Sequence, residues 1–392
     1  MNERITGKQK LSYFAVNFGN IPLMTLMNTY LAAYFVKVVG LPEAAVATML
    51  LVARIFDGVT DPFTGFLIDR QKESKFGKYR RTLIWGTIIC ATNYALLWYG
   101  PAFAPDTLKL TVAYLTFLPF GITFDIMDIS LNSMLPRMTS DLSERNTLSS
   151  IKGFAYIAGA GILGIGIPFL LGGMEESRTA YFIVIAIALA IVVGMSIGGA
   201  LGVREKPVAE AETKYPIKVL FKVITVNPVF VTFLCALLFG IGFSGTGATN
   251  IFYAEHILGN EDAAGIMYIF MGIGMIPVLI FGNKLVLRFG KKTVFGCGII
   301  ILGLGSLLRL ISMDTAWVVY GATMFGGLGA ACSMALMYSV QADNTDYVDY
   351  KMGIRTEGAV ASMSSMMTKV SSGIGQAGSV CNTGGNTFPD FL

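Results

Sequence analysis

The chain has 392 residues and a formal net charge of +4; 54% of its residues are hydrophobic and only 14% are charged, and its mean hydropathy is +0.64. Soluble domains carry about 25% charged residues, so this composition excludes an ordinary soluble globule and points to an all-α integral membrane protein. One histidine, five dispersed cysteines without a CxxC pair and the lack of a P-loop leave no basis for a His-rich metal centre, a nucleophilic triad or an ATPase. An enzyme is therefore not expected, nor are a cofactor or a nucleic-acid partner.

Apolar runs long enough to span a bilayer at 1.5 Å rise per residue recur eleven times, near 11–37, 43–68, 82–101, 108–136, 147–171, 179–203, 228–257, 262–286, 293–312, 316–342 and 356–379. Arg4, Lys8 and Lys10 precede the first. Basic clusters follow the second (Arg70, Lys72, Lys75, Lys78, Arg80, Arg81), the sixth (Arg204, Lys206, Lys214, Lys218, Lys222) and the eighth (Arg288, Lys291, Lys292). The opposite loops hold only Lys37, Lys109 and Arg178. The positive-inside rule then expects a multi-pass protein of the cell membrane with a cytoplasmic N terminus.

The one long polar break, 204–227, separates an N-terminal unit (1–203, six helices) from a C-terminal unit (228–392, about five). The units echo each other: KFGKYR after the second helix is matched by RFGKK after the eighth. Polar, acidic loops are expected after the fourth helix (PRMTSDLSERN) and the tenth (ADNTDYVDYKMGIRTEG). Repeated six-helix halves are the major facilitator pattern. A twelfth helix is then expected, but after Gln376 the chain reads AGSVCNTGGNTFPDFL, too polar and short to span, as in a truncated or frame-shifted end.

The densest chemistry lies in LVARIFDGVTDPFTGFLIDRQKESKFGKYRR, residues 51–81. Asp57 and Asp61 are four apart and share a helix face. A carboxylate at mid-membrane costs about 3 kcal/mol, so two of them call for a cation such as Na⁺ or H⁺, or for Arg54 as a charge-balancing partner. In the fourth helix Asp125 and Asp128 are three apart, again on one face. Lys152 enters the fifth helix either as a site residue or snorkelling to the interface; Lys369 lies deeper in the eleventh, where it is expected to face the cavity, and a Lys between several Asp would balance an empty cation site. His256, beside Glu255, reads as a solvated edge residue. The turn around Phe76-Gly77 reads as a gating or bundle-packing element.

ARIFDGVTDPFTGFLIDR followed by SKFGKYR resembles the glycoside–pentoside–hexuronide:cation symporters. KLSY at 10–13, DIMDIS at 125–130, and DYVDYK with RTE between 346 and 357 extend the resemblance from Lys10 to about Gln376. It implies a major facilitator fold of two six-helix bundles, importing a sugar or glycoside with Na⁺ or H⁺ through alternating access. It assigns Asp57, Asp61 and Asp125 to the cation, with Asp57 and Asp61 as ligands if the ion is Na⁺. Asp125 stands where the family's prototype has Thr, and a third close carboxylate favours H⁺. Asp128, Lys369 and Lys152 fall to the substrate, with Asn132, Asn17 and Asn20 as further polar contacts. Two departures matter: the family's helix 1 acid aligns with Ile21, and its aromatic sugar platform aligns with Asn132. Further readings are a lipid as substrate, a truncated inactive remnant, or a non-transporting sensor on the same scaffold. The expected partners are a small sugar, a coupling cation and the bilayer, around a monomer.

Overall fold

The computed structural model describes residues 5–171, 177–206, 216, 218, 222–223, 225–259, 262–309 and 315–382. Eleven long helices account for nearly all of these: α1 Gly7–Ala33, α2 Glu43–Asp69, α3 Lys78–Phe103, α4 Lys109–Met138, α5 Leu142–Leu171, α6 Arg178–Gly202, α7 Asn227–His256, α8 Asp262–Phe289, α9 Lys291–Leu308, α10 Ala316–Met352 and α11 Glu357–Asn382. The expected end of the chain, 383–392, lies outside the described residues, as does most of 204–227.

Local chemistry sets the ends. Thr6 opens α1 with a capping box: its hydroxyl accepts from the Gln9 amide, and the Gln9 side chain accepts from the Thr6 amide. A π-helical turn, Tyr34–Val39, closes α1 onto Gly40. The repeated FGK motifs have one geometry. Gly77 and Gly290 precede α3 and α9 with φ of 88° and 81°, a backbone that favours glycine.

The two polar stretches expected as loops are largely helical. α4 runs to Met138 and α5 starts at Leu142, so the break between them is three residues. α10 continues to Met352, through the whole acidic run, and stops at Gly353 with φ of 64°. Asp343 and Asp346 are held there by basic partners, which lets a polar helix project beyond its apolar part.

Six described helices or parts of helices are long and apolar enough to cross a membrane on length and composition alone: α4, α6, parts of α7 and α8, α9 and α10. α2 is not among them because Arg54, Asp57 and Asp61 interrupt it.

In the first half α1 packs on α5 and α6, α3 on α4 and α6, and α2 on α4. One buried cluster holds Tyr13, Tyr34, Tyr94, Trp98 and Tyr181; the Tyr34 and Trp98 rings lie 4.8 Å apart. In the second half α8 and α9 pack on α10, and α7 on α11. The halves meet through α2 and α4 against α11, and through α5 against α8 and α10. Close approach of α2 and α11 depends on Gly65, whose missing Cβ would lie 2.3 Å from Ser362 Oγ and 2.4 Å from the Gly358 carbonyl.

Candidate functional site

Three helices converge on one charge cluster. Lys369 of α11 places its Nζ 2.7 Å from Asp61 Oδ1 and 3.0 Å from Asp125 Oδ1. Asp57 Oδ2 is 4.0 Å away. The Asp61 and Asp125 side chains are fully buried. Asp61 Oδ2 has no hydrogen-bond donor. Three carboxylates therefore share one ammonium, and a buried oxygen remains open to a cation or a proton. The acids surround Lys369 rather than an empty centre. Among the described residues no group of three acidic, His or Cys side chains is placed to hold a metal ion as they stand.

Gly121 of α4 makes this arrangement sterically feasible. A Cβ there would lie 1.9 Å from Asp57 Oδ1, so only glycine admits the carboxylate. Beside the cluster lies a cavity of about 260 Å³, lined among others by Met27, Asn28, Asp57, Phe120, Phe124 and Lys369. Phe117, Gly121, Phe124, Asp128 and Asn132 are spaced four, three, four and four apart, which puts them on one face of α4. That stripe links the cavity to a second polar group.

In this second group Asn132 Nδ2 donates to Asp128 Oδ2 at 2.8 Å, and Lys152 Nζ donates to Asn132 Oδ1. The Lys152 ammonium also sits 3.7 Å above the ring of Tyr338 on α10, a cation–π contact between the halves. Lys152 is buried, not snorkelling. Asn17 donates to the Tyr13 carbonyl at 2.7 Å. Its Oδ1 and the buried Tyr13 hydroxyl have no partner.

The remaining site expectations divide. Lys369, expected to face the cavity and to balance the acids, sits among the carboxylates and also lines the cavity. Asn20 turns toward α6, where its Oδ1 accepts from Ser196 Oγ at 3.3 Å. Ile21, in the place of the family's acid, lies against Gly159 of α5. The side chains of Arg54, Glu255 and His256 lie outside the described residues.

At the end of the helices that holds the α2–α3, α4–α5 and α10–α11 turns, a polar network ties the halves together. Asp69 of α2 accepts from the amides of Gly358 and Ala359 at 2.7 and 2.9 Å, capping α11 from across the interface. Tyr79 donates to Asp69 at 2.9 Å. Arg137 of α4, buried, bridges Glu357 at 2.9 Å and Glu73 at 3.0 Å. Arg145 of α5 reaches Asp343 at 3.2 Å and Asp346 at 2.6 Å on α10. Glu205, beyond α6, accepts from the amides of Lys78, Tyr79 and Arg80 at the start of α3. Sequence reasoning treated these stretches as loops or as family signatures and missed their pairing. The available signal was the placement of opposite charges at helix ends in both halves.

A family model described as MFS/sugar transport protein matches residues 12–381. The chain belongs to this family. The isoprimeverose transporter of Lactiplantibacillus pentosus is 27% identical, over 96% of this chain and 80% of that protein. The glucuronide carrier protein homolog of Escherichia coli is 25% identical, over 96% and 83%. A putative 2,3-dihydroxypropane-1-sulfonate exporter of Salmonella typhimurium is 27% identical, over 94% and 81%. These relatives agree with the glycoside–pentoside–hexuronide resemblance carried by the α2 motif.

Two solved structures share the fold. One is a bacterial homologue of the iron transporter ferroportin in an outward-facing state (TM-score 0.71, 14% identity, 97% of this chain and 93% of that one). The other is the E. coli fucose:proton symporter FucP (TM-score 0.67, 14% identity, 96% and 91%). The chain is thus a multi-pass membrane transporter of the sugar-transport family and not an enzyme.

Proposed function

We propose that the chain is a cation-coupled symporter that imports a sugar or glycoside by alternating access, as a monomer with its N terminus in the cytoplasm. The observation that carries this reading is the buried cluster: Asp57, Asp61 and Asp125 gather at Lys369, and Asp61 retains an unpartnered buried oxygen. A coupling ion, Na⁺ or H⁺, binds at that open oxygen, and Lys369 partly fills its place when the ion is absent. The sugar occupies the cavity and the neighbouring Asp128, Asn132 and Lys152 group, where Asn17 and Tyr13 offer unpartnered polar atoms. Domains 1–203 and 228–392 rock about it, joined by 204–227.

The end network supports the assignment of state. Ion pairs and the Asp69 cap close the halves at the basic end, while the cavity lies in the opposite part of the helices. With the basic end in the cytoplasm, this is an outward-facing form. Coupling follows if only the empty and the doubly loaded carrier rock.

The test is uptake by cells or proteoliposomes of labelled isoprimeverose, a glucuronide and sulfoquinovose, with Na⁺ and pH gradients imposed separately. Accumulation is expected to follow one of the two gradients and to vanish in Asp57→Cys. Undiminished accumulation in that variant would sink the cation-site assignment. Flux that follows neither gradient would sink the symporter reading.

A further inference from the structure

Arg309 takes no part in the cavity, the charge cluster or the end network. It caps the C-terminal end of α9 and is 5% exposed. Its Nη1 donates to Asn250 Oδ1 of α7 at 2.8 Å, and its Nη2 to Thr323 Oγ1 of α10 at 3.1 Å. The Tyr253 hydroxyl donates to the Arg309 carbonyl at 3.2 Å. Its Nε has no acceptor, and neither does Nδ2 of the fully buried Asn250. Tyr253, Met267, Val319 and Tyr320 pack this end of the bundle with apolar surface.

The contrast with the other buried arginines is direct. Arg137 and Arg145 each meet two carboxylates. Among the described residues Arg309 meets none. A guanidinium cannot shed its charge, so burial without a counter-charge is strongly unfavourable. The last carbonyls of α9 supply only a partial negative charge. A water molecule satisfies two stray donors but leaves the charge. What matches both is an anion, which accepts hydrogen bonds only.

We propose that Arg309 Nε and Asn250 Nδ2, the two donors left without acceptors, bind a small monovalent anion, of which chloride is the simplest. Thr323 takes no direct part: its hydroxyl accepts from Arg309 and donates to the Val319 carbonyl at 2.7 Å, and so orients the guanidinium. The anion would bridge α7 and α9 and clamp that end of the second bundle. The site is independent of what the chain carries, so its test does not depend on the transport reading.

The test uses the full chain in lipid nanodiscs at fixed Na⁺ and fixed ionic strength, with chloride or bromide exchanged against gluconate, and reads the melting temperature. Halides are expected to raise it by a few degrees with saturation. Asn250→Asp places a carboxylate beside the guanidinium in a side chain of the same shape. It should melt in gluconate as the wild type melts in chloride and lose the halide response. Arg309→Gln should lose the response as well. A wild type indifferent to halide, or an Asn250→Asp protein that keeps the response, overturns the proposal. Asp314, five residues downstream, lies outside the described residues and provides the control. If halide stabilises only the Asp314→Asn variant, the counter-charge comes from the chain itself and the proposal fails.

Discussion

Replacing Gly121 with alanine isolates the cation site more cleanly than removing an acid. The new Cβ would lie 1.9 Å from Asp57 Oδ1, while ordinary contact begins near 3.4 Å, and the three atoms nearest to it all belong to the Asp57 carboxylate. The carboxylate must therefore withdraw by about 1.5 Å, a displacement large enough to matter for any positioned group. Take a hard cation held at about 2.4 Å from the carboxylate oxygen. Moving that oxygen to about 3.9 Å weakens the attraction by about 2.5 kcal/mol at an effective dielectric constant of about 20. That corresponds to cation affinity weaker by a factor of about 100. Alanine is also the strongest helix former, so α4 itself gains from the change. The assay is uptake against increasing Na⁺ at fixed pH, and against pH at fixed Na⁺, beside the melting temperature of the purified protein. Gly121→Ala is expected to shift half-activation about 100-fold while the chain stays folded. A variant with wild-type cation dependence would refute the claim that Asp57 reaches the ion across Gly121.

Three further outcomes are expected. Lys369→Met leaves Asp61 and Asp125 buried without their shared partner, so it should lower stability by about 3–5 kcal/mol and abolish accumulation, read by chemical melting and uptake. Arg145→Gln removes two ion pairs between the buried guanidinium of α5 and partly exposed acids of α10, worth about 1 kcal/mol together. It should raise thiol labelling of Ser339→Cys, in a background without other cysteines, several-fold from the basic end; unchanged labelling would mean those pairs hold nothing closed. Glu205 lies outside the spanning segments, and burial, only partly offset by the amides of Arg80, Tyr79 and Lys78, holds its carboxyl above its ordinary value of 4.5. A raised folded-state value means that the protonated form is favoured on folding. Its contribution is complete below pH 4.5 and is lost as pH climbs through the raised value. Glu205→Gln should flatten the fall in melting temperature over that window, and an unaltered slope would contradict the assignment.

The parts of this molecule that were legible in sequence are those where membrane physics leaves few choices. Acids inside an apolar run need a partner or an ion, so Asp57, Asp61, Asp125 and Lys369 stood out one by one, and the structure gathers them within 4.0 Å of one ammonium. The repeated FGK turns were visible because a positive φ before a helix favours glycine. What stayed hidden was pairing between distant segments. Asp343 and Asp346 read as a polar loop because their partner Arg145 is about 200 positions away, and a charge run alone does not reveal its ion pairs. Gly121 is one of 45 glycines, and nothing in the sequence singles it out. Nothing local distinguishes a glycine facing a carboxylate from one facing another helix. The Phe117, Gly121, Phe124 and Asp128 stripe was available to a helical-period reading, but aromatic residues in an apolar helix look like ordinary core.

On the proposed symporter reading, the placement of the two polar layers gives ion binding a route to the closed end. Asp57 and Asp69 of α2, Asp125 and Arg137 of α4, and Glu357 and Lys369 of α11 are in each case twelve residues apart. At 1.5 Å per residue that is about 18 Å along each helix. The same three helices therefore carry the cation cluster at one level and the closing network at the other. α2 and α11 cross closely at Gly65, where the Ser362 hydroxyl and the Gly358 carbonyl fill the space a Cβ would take, so a shift of one helix is felt directly by the other. In the proposed mechanism, a cation that neutralises Asp57 and Asp61 takes from Lys369 its hold on α2 and leaves the Asp125 contact to α4. A change in tilt of α11 that follows is transmitted to Glu357, and so to Arg137, and to the amides that Asp69 caps. Because the cap and the Arg137 bridge are directional, a small rotation weakens them together rather than in turn. Breaking the lower layer alone, as in Arg137→Gln, is thus expected to loosen the upper one and alter cation affinity at a site about 18 Å away. An Arg137→Gln protein with an opened basic end but an unchanged cation response would show that the two layers move independently.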